Sequence, residues 1–451
     1  MKSKLVGCIL TLGIAACLGL NGKSNGGVAA ATLGGIRPAS TSRALAGDFY
    51  TVTNLGTFGG VSSSGNSIND RAWVTGNANL LGDTITQAAL WHDGLKLDLG
   101  TLGGANSAVA WPNNNLSGLI AGIAETAAVD PLGENWSCSA FFPTTTQHVC
   151  LGFAWQWGRM SALSTLGGVN GYAAGTNLLG QIVGWAETPV HDPTCTPPQV
   201  LQFEPVVWSN NRYGRGYQIE QLPTFNGDPD GAATAINDLG QVVGITGTCD
   251  QAVGRFTAAH AVLWQNGKVI NLGSFGGISW NTPTDINDRG EVVGFANLPG
   301  DTSGQLQPQA FLWTPGGGLK DLGTLPGDVY SFAESINNLG QVVGISYSAG
   351  FATARAFIWQ NNVMTDLNTL TTPGSPLYLI VANSINDWGQ ITGQAIVQGT
   401  TQAPAFLAVP SSGNFASLKS QHAGIVPKVL LPNVVREQLE RRLGLGNSPR
   451  S

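Results

Sequence analysis

The sequence predicts an all-β fold: a seven-bladed β-propeller of four-stranded antiparallel blades, closed by the N-terminal strand and followed by a short C-terminal helix. The first observation is a nine-residue pattern that returns along the chain, as INDLGQVVG from Ile236, INDRGEVVG from Ile286, INNLGQVVG from Ile336 and INDWGQITG from Ile385. The second is composition, because glycine supplies 62 of the 451 residues, about twice the usual ~7%, and charged residues only 11%. Such a chain is rich in turns and poor in salt-bridged helices.

The repeat has seven units, each marked by an asparagine with a glycine seven residues later. The asparagines are Asn69, Asn115, Asn177, Asn237, Asn287, Asn337 and Asn386. Each unit also holds a Gly-rich element, such as DLGTLGG from Asp98, and an apolar run that usually ends in Trp, such as AVLW from Ala261. Short apolar runs bounded by Gly, Asn, Asp and Pro indicate β-strands, so each unit supplies four strands, which we name D, A, B and C in chain order.

Tight turns join these strands. Asn-Asp-x-Gly links A to B, and stretches such as WQNGKV link C to D, because Asn, Asp and Gly tolerate the positive φ of hairpin turns. A single four-stranded meander cannot bury both of its faces, and radial packing of many copies solves this. The small residues Ala233 and Ala235 place strand A at the crowded axis. The chain enters with a D-type strand at Tyr50, so we expect this strand to complete the seventh blade.

The N-terminus has the pattern of an export signal. Lys2 and Lys4 precede an apolar run from Leu5 to Leu20, which is too short for a comfortable membrane span. The stretch that ends at Cys17 resembles a lipobox, in which this cysteine is lipidated, whereas Val28-Ala29-Ala30 suits ordinary signal peptidase, and both alternatives stay open. The predicted organisation is a signal peptide or lipoprotein signal at 1–30, a linker at 31–47, the propeller at 48–410 and a C-terminal tail at 411–451.

Charge and hydropathy limit the partners. The net charge is -6 with no basic block, so we expect no nucleic-acid partner. No later segment carries about 20 consecutive apolar residues, so we expect no membrane span. The mature chain is expected to be a monomer without a cofactor. We expect it to be secreted, or to be located at a bacterial cell surface or in the periplasm, with or without a lipid anchor.

Export makes the cysteines beyond the signal informative, since disulfides form in oxidising compartments. Cys138 and Cys150 share one B–C loop, and Cys195 and Cys249 lie in the B–C loops of neighbouring units. We therefore predict the pairs Cys138–Cys150 and Cys195–Cys249. No Cys-x-x-Cys or His-x-x-x-His spacing supports a zinc site, and no metal is expected.

Alternating strand directions put the D–A and B–C loops on one face of the propeller and the short A–B and C–D turns on the other. The loop-rich face carries the length variation, and loops on a rigid scaffold usually carry binding sites. At its channel mouth we predict a ligand-binding rim, because exposed aromatic rings bind sugars or peptide side chains. The rim residues are Tyr172, Asp230, Trp280, Tyr330 and Tyr378. The alternative is that these rings pack between blades, as we expect for the strand C tryptophans Trp91, Trp208, Trp264, Trp313 and Trp359.

Catalytic residues are unknown from the sequence. Asp130, Glu134, His148, His191 and Asp192 are candidates for an acid/base pair or a group of metal ligands above the channel. The simpler interpretation is that they are polar loop residues exposed to solvent. Glycoside chemistry depends on the separation of two carboxylates in space, which a sequence does not give.

The tail contains one predicted helix, VVREQLERRL. Asn433 is a candidate N-cap, Val435, Leu439 and Leu443 repeat every four residues, and Gly444 is a stop signal. A docking helix, a frayed tail and a partner-binding segment are all consistent with this pattern.

The combination of DLGTLGG, INDLGQVVG and AFLW resembles the HAF family of extracellular bacterial repeat proteins. The resemblance covers Tyr50 to about Val409, and the second and third units depart from it most, with Asn114 in place of Ile and Thr176 before Asn177. It implies export and a repeat fold, and it supplies no catalytic residues.

The leading functional hypothesis is an exported scaffold that binds a glycan or a surface protein through its loop-rich D–A/B–C face. A glycan hydrolase or lyase that uses loop carboxylates and histidines is the rival, and a purely structural cell-surface protein is the third alternative.

Overall fold

The structure is a computed structural model. It describes residues 49–110, 117–134, 138, 141–144, 146–195, 197–210, 216–249, 259–277, 281–300, 308–411 and 428–442. The export signal with Cys17, the second repeat asparagine Asn115, and Trp280 lie outside these residues.

Twenty-eight strands account for nearly all of the described regular structure. The first half consists of β1 (Tyr50–Gly56), β2 (Gly59–Ile68), β3 (Val74–Leu80), β4 (Thr86–His92), β5 (Leu95–Asp98), β6 (Gly103–Ala108), β7 (Ile120–Val129), β8 (His148–Gln156), β9 (Arg159–Ala162), β10 (Gly171–Thr176), β11 (Ile182–His191), β12 (Leu201–Asn210), β13 (Tyr217–Gln221) and β14 (Asp230–Ile236).

The second half consists of β15 (Val242–Gly247), β16 (His260–Gln265), β17 (Lys268–Asn271), β18 (Thr282–Ile286), β19 (Val292–Asn297), β20 (Pro308–Thr314), β21 (Gly318–Gly323), β22 (Tyr330–Ile336), β23 (Val342–Tyr347), β24 (Ala354–Gln360), β25 (Val363–Asp366), β26 (Leu377–Ile385), β27 (Ile391–Val397) and β28 (Ala405–Pro410). Short 3-10 turns lie at Ala349–Phe351 and Leu367–Leu370, and α1 spans Asn433–Arg442.

These strands form seven four-stranded antiparallel sheets, which are the blades of a β-propeller. Blades 1 to 6 each contain four consecutive strands, from β2–β5 to β22–β25, and blade 7 has the order β26, β27, β28, β1. The first strand pairs with the last, from Tyr50 opposite Pro410 to Gly56 opposite Ala405. The predicted closure by the N-terminal strand is therefore confirmed. Tyr50 is fully buried in the core of this blade, so closure also fills a packing position.

The A-type strand of each blade lies at the axis, where neighbouring A-type strands contact one another. The repeat glycine explains how the next strand packs there. A Cβ on Gly244 would collide with the Ala232 carbonyl oxygen, and one on Gly344 would collide with that of Phe332. The same obstruction holds at Gly76, Gly122, Gly184, Gly294 and Gly393. Only glycine allows this close approach of two backbones.

The repeat asparagine closes the A–B turn and also joins neighbouring blades. Asn237 Oδ1 accepts hydrogen bonds from the backbone N–H groups of Leu239 (3.1 Å) and Gln241 (2.9 Å). Its Nδ2 donates to the carbonyl oxygen of Asn287 in the next blade, at 2.9 Å. The equivalent inter-blade bond repeats from Asn177, Asn287, Asn337 and Asn386. The sequence INDLGQVVG therefore specifies both a tight turn and a hydrogen bond to the next blade.

The strand C tryptophans pack in the protein interior, as predicted. Trp91, Trp208, Trp264 and Trp359 are buried, and Trp313 is half-buried against a neighbouring apolar cluster. Two of them also donate an indole hydrogen bond to a carbonyl of the preceding D–A connection, Trp208 to Ser164 at 2.9 Å and Trp264 to Pro223 at 2.7 Å.

The helix α1 packs on the propeller through Val435 and Leu439, which are both buried. It begins one residue earlier than the predicted cap requires, because the Pro432 carbonyl oxygen accepts the first helical hydrogen bond, from Arg436 N at 3.0 Å. Asn433 is therefore the first helical residue rather than the N-cap, and its Oδ1 accepts from Arg436 Nη2 at 3.1 Å. The predicted stop at Gly444 lies outside the described residues.

Candidate functional site

The turn face carries a polar cavity on the propeller axis. A space of about 110 Å³ is enclosed by the A–B turns of the described blades. Around it, each turn donates a backbone hydrogen bond to a side-chain oxygen of the next blade: Asp238 N to Asp288 Oδ1 (3.0 Å), Asp288 N to Asn338 Oδ1 (2.9 Å), Asn338 N to Asp387 Oδ1 (2.8 Å) and Asp387 N to Asp70 Oδ1 (3.0 Å). These oxygens are used to hold the ring together.

Burial is the main cause that raises the pKa of Asp70 and of Asp238, and the neighbouring ring carboxylates add to it. At the tips of the turns Leu239 is 69% exposed and Trp388 is 60% exposed. The turn face thus combines an acidic centre with apolar tips, and the hydrogen bonds of the acidic ring serve stability, as the short and nearly constant turns predicted.

The loop-rich face differs because the C-terminal segment, residues 428–442, covers its channel mouth. Leu431, Val435 and Leu439 enter one apolar cluster with residues of blades 5, 6 and 7. The propeller side of this cluster, which we call the mouth groove, includes Phe332, Tyr347, Tyr378, Ile396 and Ala403.

Polar contacts fix the same segment. Lys428 Nζ lies 2.6 Å from Asp328 Oδ1, and Leu431 N donates to the Ala352 carbonyl oxygen at 3.0 Å. Gln438 Oε1 accepts from Ser62 Oγ at 2.9 Å, at the inner strand of blade 1. The segment therefore reaches from the loops of blade 6 to the first blade across the mouth.

Three residues of the expected aromatic rim are buried rather than exposed. Tyr378 is 2% exposed and lies in the mouth groove, and burial raises its pKa to about 12. Tyr172 is 4% exposed and stacks on Phe141 with ring centroids 5.3 Å apart. Asp230 is 1% exposed. Side chains with so little exposure contact protein rather than a ligand, which favours the packing alternative.

Tyr330 differs from the other rim residues because it is only half-buried. Its ring stacks on Phe351, with centroids 5.1 Å apart, and it borders the mouth groove. Trp280, the fifth residue of the predicted rim, lies outside the described residues.

The two predicted disulfides are present, Cys138–Cys150 and Cys195–Cys249. The first joins the loop between β7 and β8 to strand β8 itself, and the second joins the long loops of blades 3 and 4. Two groups have the spacing of metal ligands, Glu125 with the first pair of cysteines and Asp192 with the second. Disulfide sulfurs are not thiolates, so neither group has the donor chemistry of a metal site.

The long loops of blades 2 and 3 are joined by buried carboxylates. Glu134 Oε1 accepts from Val200 N at 2.8 Å and from Leu201 N at 2.5 Å, which fastens one B–C loop to the next. Gln199 Nε2 donates to Glu134 Oε1 at 3.2 Å and to Glu187 Oε1 at 3.0 Å, so one amide joins the two acids. Burial, with the charge of Glu134, raises the pKa of Glu187 to about 7, and burial also raises that of Glu134.

The predicted acid/base set is only partly brought together. Asn170 Nδ2 donates to Asp130 Oδ2 at 2.7 Å and lies 3.4 Å from the Glu134 carbonyl oxygen, so these two acids belong to one network. His191 interacts electrostatically with Glu134. Asp192 instead pairs with Asp230, and the acids are buried away from solvent. A buried network of this kind holds loops together and offers no open surface to a substrate.

The sequence analysis did not predict that Glu187 and Gln199 belong to this network. One signal was available: GIAET and GWAET place Glu125 and Glu187 at the same distance from the repeat glycine. Both carboxylates accept backbone hydrogen bonds from the D–A connection, Glu125 from Asn106 N at 3.0 Å and Glu187 from Asn170 N at 2.7 Å. The repeated Glu therefore has a structural role.

Comparisons with known proteins return weak structural similarities and no family. The chain is weakly similar to Pyrococcus horikoshii acylaminoacyl peptidase, at 11% identity and a TM-score of 0.43 over 82% of this chain and 54% of that chain. Puromycin hydrolase gives 12% identity and a TM-score of 0.41 over 71% and 47%, and Trypanosoma rangeli sialidase in complex with the inhibitor DANA gives 10% and 0.35 over 72% and 56%. The chain spans about half the length of these structures. No protein-family model and no curated protein matches it.

A search of the described residues for a helix long and apolar enough to cross a membrane returns none.

Proposed function

We propose that the protein is an exported propeller scaffold that binds a protein ligand through its loop-rich D–A/B–C face, at the mouth groove. The observation that carries the proposal is that this groove already accommodates a protein segment. The C-terminal segment contacts it through apolar side chains from one side of a helix and through an extended stretch that makes backbone contacts.

The contacts define the chemistry of a matching ligand. Two apolar side chains four residues apart, Val435 and Leu439, enter the groove, as in helix-in-groove recognition. Upstream of them Lys428 reaches Asp328, a carboxylate that also pairs with Arg355 at 2.7 Å. A suitable ligand is therefore an amphipathic helix with a basic residue before it.

The cover is small enough to be displaced. Fully burying one aliphatic side chain contributes about 1.5–3 kcal/mol, and the segment buries three of them, Leu431, Val435 and Leu439. The lysine ion pair adds little, because the lysine side chain is about one-third exposed and solvent screens it. A tighter ligand of the same chemistry competes with this segment, so the C-terminal segment is the groove's occupant in the absence of a partner.

Export, cell-surface location and membership of the HAF family are part of this proposal. Two disulfides suit an oxidising compartment, and the N-terminal pattern suits secretion with or without lipidation of Cys17. The glycan-directed alternatives have weaker support, because the acids expected to act on a sugar are buried.

The test uses the full chain with a specific protease site placed within residues 412–427, before and after cleavage and removal of the C-terminal peptide. Both forms are screened against a displayed library of helical peptides and against a glycan array. We expect the cleaved form to select peptides with two apolar residues four apart and an upstream basic residue, and to bind them at least tenfold more tightly than the intact form does.

The controls are two point variants of the intact chain. Leu439→Ala should raise peptide binding by loosening the cover, whereas Leu239→Ala, at an exposed A–B turn on the opposite face, should not. Glycan binding that is equal before and after cleavage would show that the binding site lies outside the mouth groove, and it would favour a sugar ligand. Absence of any binding by the cleaved form would favour a purely structural surface protein.

A further inference from the structure

Three strand positions of the propeller are equivalent, but only one of them carries an acid. Strand register places Ala173 opposite Gly184 and Ala233 opposite Gly244, so Asn170 and Asp230, three residues earlier, hold the same position in blades 3 and 4. Asn106 holds it in blade 2. In each case the side-chain Oδ1 accepts a backbone hydrogen bond from the preceding blade: from Thr86 N (2.9 Å), Cys150 N (3.0 Å) and Phe203 N (2.9 Å).

The other side-chain atom of these residues faces a carboxylate. Asn106 Nδ2 donates to Glu125 Oε2 at 3.0 Å, and Asn170 Nδ2 donates to Asp130 Oδ2 at 2.7 Å. In blade 4 the corresponding atom is Asp230 Oδ2, and its partner is again a carboxylate, that of Asp192. Within the described part of the chain, no hydrogen-bond donor reaches Asp230 Oδ2 or Asp192 Oδ2. Two ionised carboxylates repel each other, so a hydrogen bond between them requires that one of them carries a proton.

We propose that Asp230 is protonated in the folded protein and donates a hydrogen bond to Asp192, which makes it a proton-dependent latch between the long loop of blade 3 and the first strand of blade 4. The protonated acid takes the role that asparagine has in blades 2 and 3. It offers one accepting oxygen to the backbone and one donor to a carboxylate.

The surroundings of the pair favour this proton. Asp192 faces Asp230 from the loop between β11 and β12, and Glu204 faces it from β12. The next acid along the chain, Asp228, is engaged by His260 at 2.7 Å. Among the described residues no lysine or arginine forms an ion pair with Asp192, Glu204 or Asp230.

The titration properties agree with this arrangement. Burial, with the Asp192 partner, raises the pKa of Asp230 to about 9. Burial alone would raise the pKa of Asp192, but the hydrogen bonds from Asp230 and Thr194 outweigh it and lower that pKa. Burial also raises the pKa of Glu204 to about 7.

The latch weakens as the pH rises. Because the folded protein holds a proton on Asp230 that the unfolded chain has already released above its ordinary pKa of 3.8, folding stability decreases from about pH 4 to about pH 9. Loss of the proton leaves two charges beside each other, and the loop of blade 3 loses this attachment. The Cys195–Cys249 disulfide still joins the same loop to blade 4.

The test compares the full-length wild type with Asp230→Asn, which copies the residue of blades 2 and 3. We expect the variant to fold normally and to lose less of its unfolding midpoint between pH 5 and pH 9 than the wild type does, the remaining loss coming from other buried acids such as Glu187 and Glu204. The matched control Asp93→Asn, at an exposed turn, should follow the wild type. Carbon-13 NMR of labelled aspartate should show a protonated carboxyl at pH 8, where the buried Asp285, with a pKa raised to about 6, is ionised, and this signal should be absent from Asp230→Asn.

Hydrogen exchange adds a local readout. The Phe203 amide, which donates to Asp230 Oδ1, should exchange at least tenfold faster at pH 9 than its intrinsic pH dependence allows in the wild type, and not in Asp230→Asn. An unchanged pH profile in Asp230→Asn, or no protonated aspartate at pH 8, would overturn the proposal. If the variant does not fold, the NMR result on the wild type alone decides.

Discussion

Asn386 in blade 7 donates a hydrogen bond from Nδ2 to the carbonyl oxygen of Asn69 in blade 1, at 2.9 Å. The two residues are 317 positions apart in the chain, and the bond closes the inter-blade series at the seam of the ring. Asn386 Oδ1 also accepts hydrogen bonds from Trp388 N (3.1 Å) and Gln390 N (2.9 Å). One side chain therefore stabilises both the A–B turn and the closure of the ring.

Replacing Asn386 by Ala should therefore destabilise the protein by about 1–3 kcal/mol, because buried backbone groups lose their partners. Denaturant unfolding would measure the loss. The control Leu339→Ala removes an exposed side chain from an equivalent turn and should change stability by less than about 0.5 kcal/mol. Equal effects in the two variants would show that the asparagine series contributes nothing to stability.

Removing the β1 segment, residues 49–56, should expose the free edge of β28 and cause aggregation. The deletion also removes Tyr50 from the core of blade 7, which leaves a large cavity. Size-exclusion chromatography and light scattering would follow the outcome. A soluble monomer with an unchanged unfolding midpoint would contradict the role of β1 in closing the ring.

The two disulfides should contribute unequally. Loop-closure entropy predicts about 4 kcal/mol for Cys195–Cys249, with a sequence separation of 54, and about 3 kcal/mol for Cys138–Cys150, with a separation of 12. Paired Cys→Ser variants compared by denaturant unfolding under oxidising conditions would measure both. The order of the two losses is the test, and a larger loss from the shorter loop would argue for local packing in place of chain entropy.

Glu187→Gln should flatten the pH dependence of stability. Burial raises the pKa of Glu187 from 4.5 to about 7, so the folded state retains a proton that the unfolded state releases, and stability falls as the pH rises through this window. Glutamine cannot ionise, and its amide can donate to Gln199 Oε1, which accepts no hydrogen bond from any described residue of the wild type.

The gain at pH 8 relative to the wild type should be on the order of 3 kcal/mol, and none should appear at pH 4. Chemical unfolding at both pH values measures it. A variant that is equally destabilised at both would show that the carboxylate's hydrogen bonds outweigh its desolvation.

The repeat made the architecture predictable. Each turn motif ends at a glycine that the backbone geometry requires, so seven motifs specified seven blades, and the unpaired D-type strand at Tyr50 specified the closure. The disulfides followed from the same register, because Cys195 and Cys249 lie in equivalent loops of neighbouring blades. Local patterns were sufficient wherever the contact repeats from blade to blade.

The candidate site was less predictable because its contacts do not repeat. Nothing near Tyr378 in the sequence indicates that Val435 and Leu439, more than fifty residues later, cover it. Burial of Asp230 depends on the long loop that carries Asp192, and the periodic pattern that predicts strands does not predict the path of a loop. Asp230 and Asn170 both lie seven residues before their repeat asparagine, but the equivalence of Asn106, nine residues before Asn115, was visible only once the strand register was known.

The two ends of the propeller meet. Phe49 N donates to Ser411 Oγ at 2.9 Å, and Ser411 N donates to the Phe49 carbonyl oxygen at 2.8 Å. A short peptide linker could therefore join these residues, and new termini could be opened at an exposed C–D turn such as the one at Asn266 and Gly267. The first and the last strand of the propeller both belong to blade 7, so the ring itself does not depend on where the chain begins. A circularly permuted chain should therefore fold to the same seven-bladed ring.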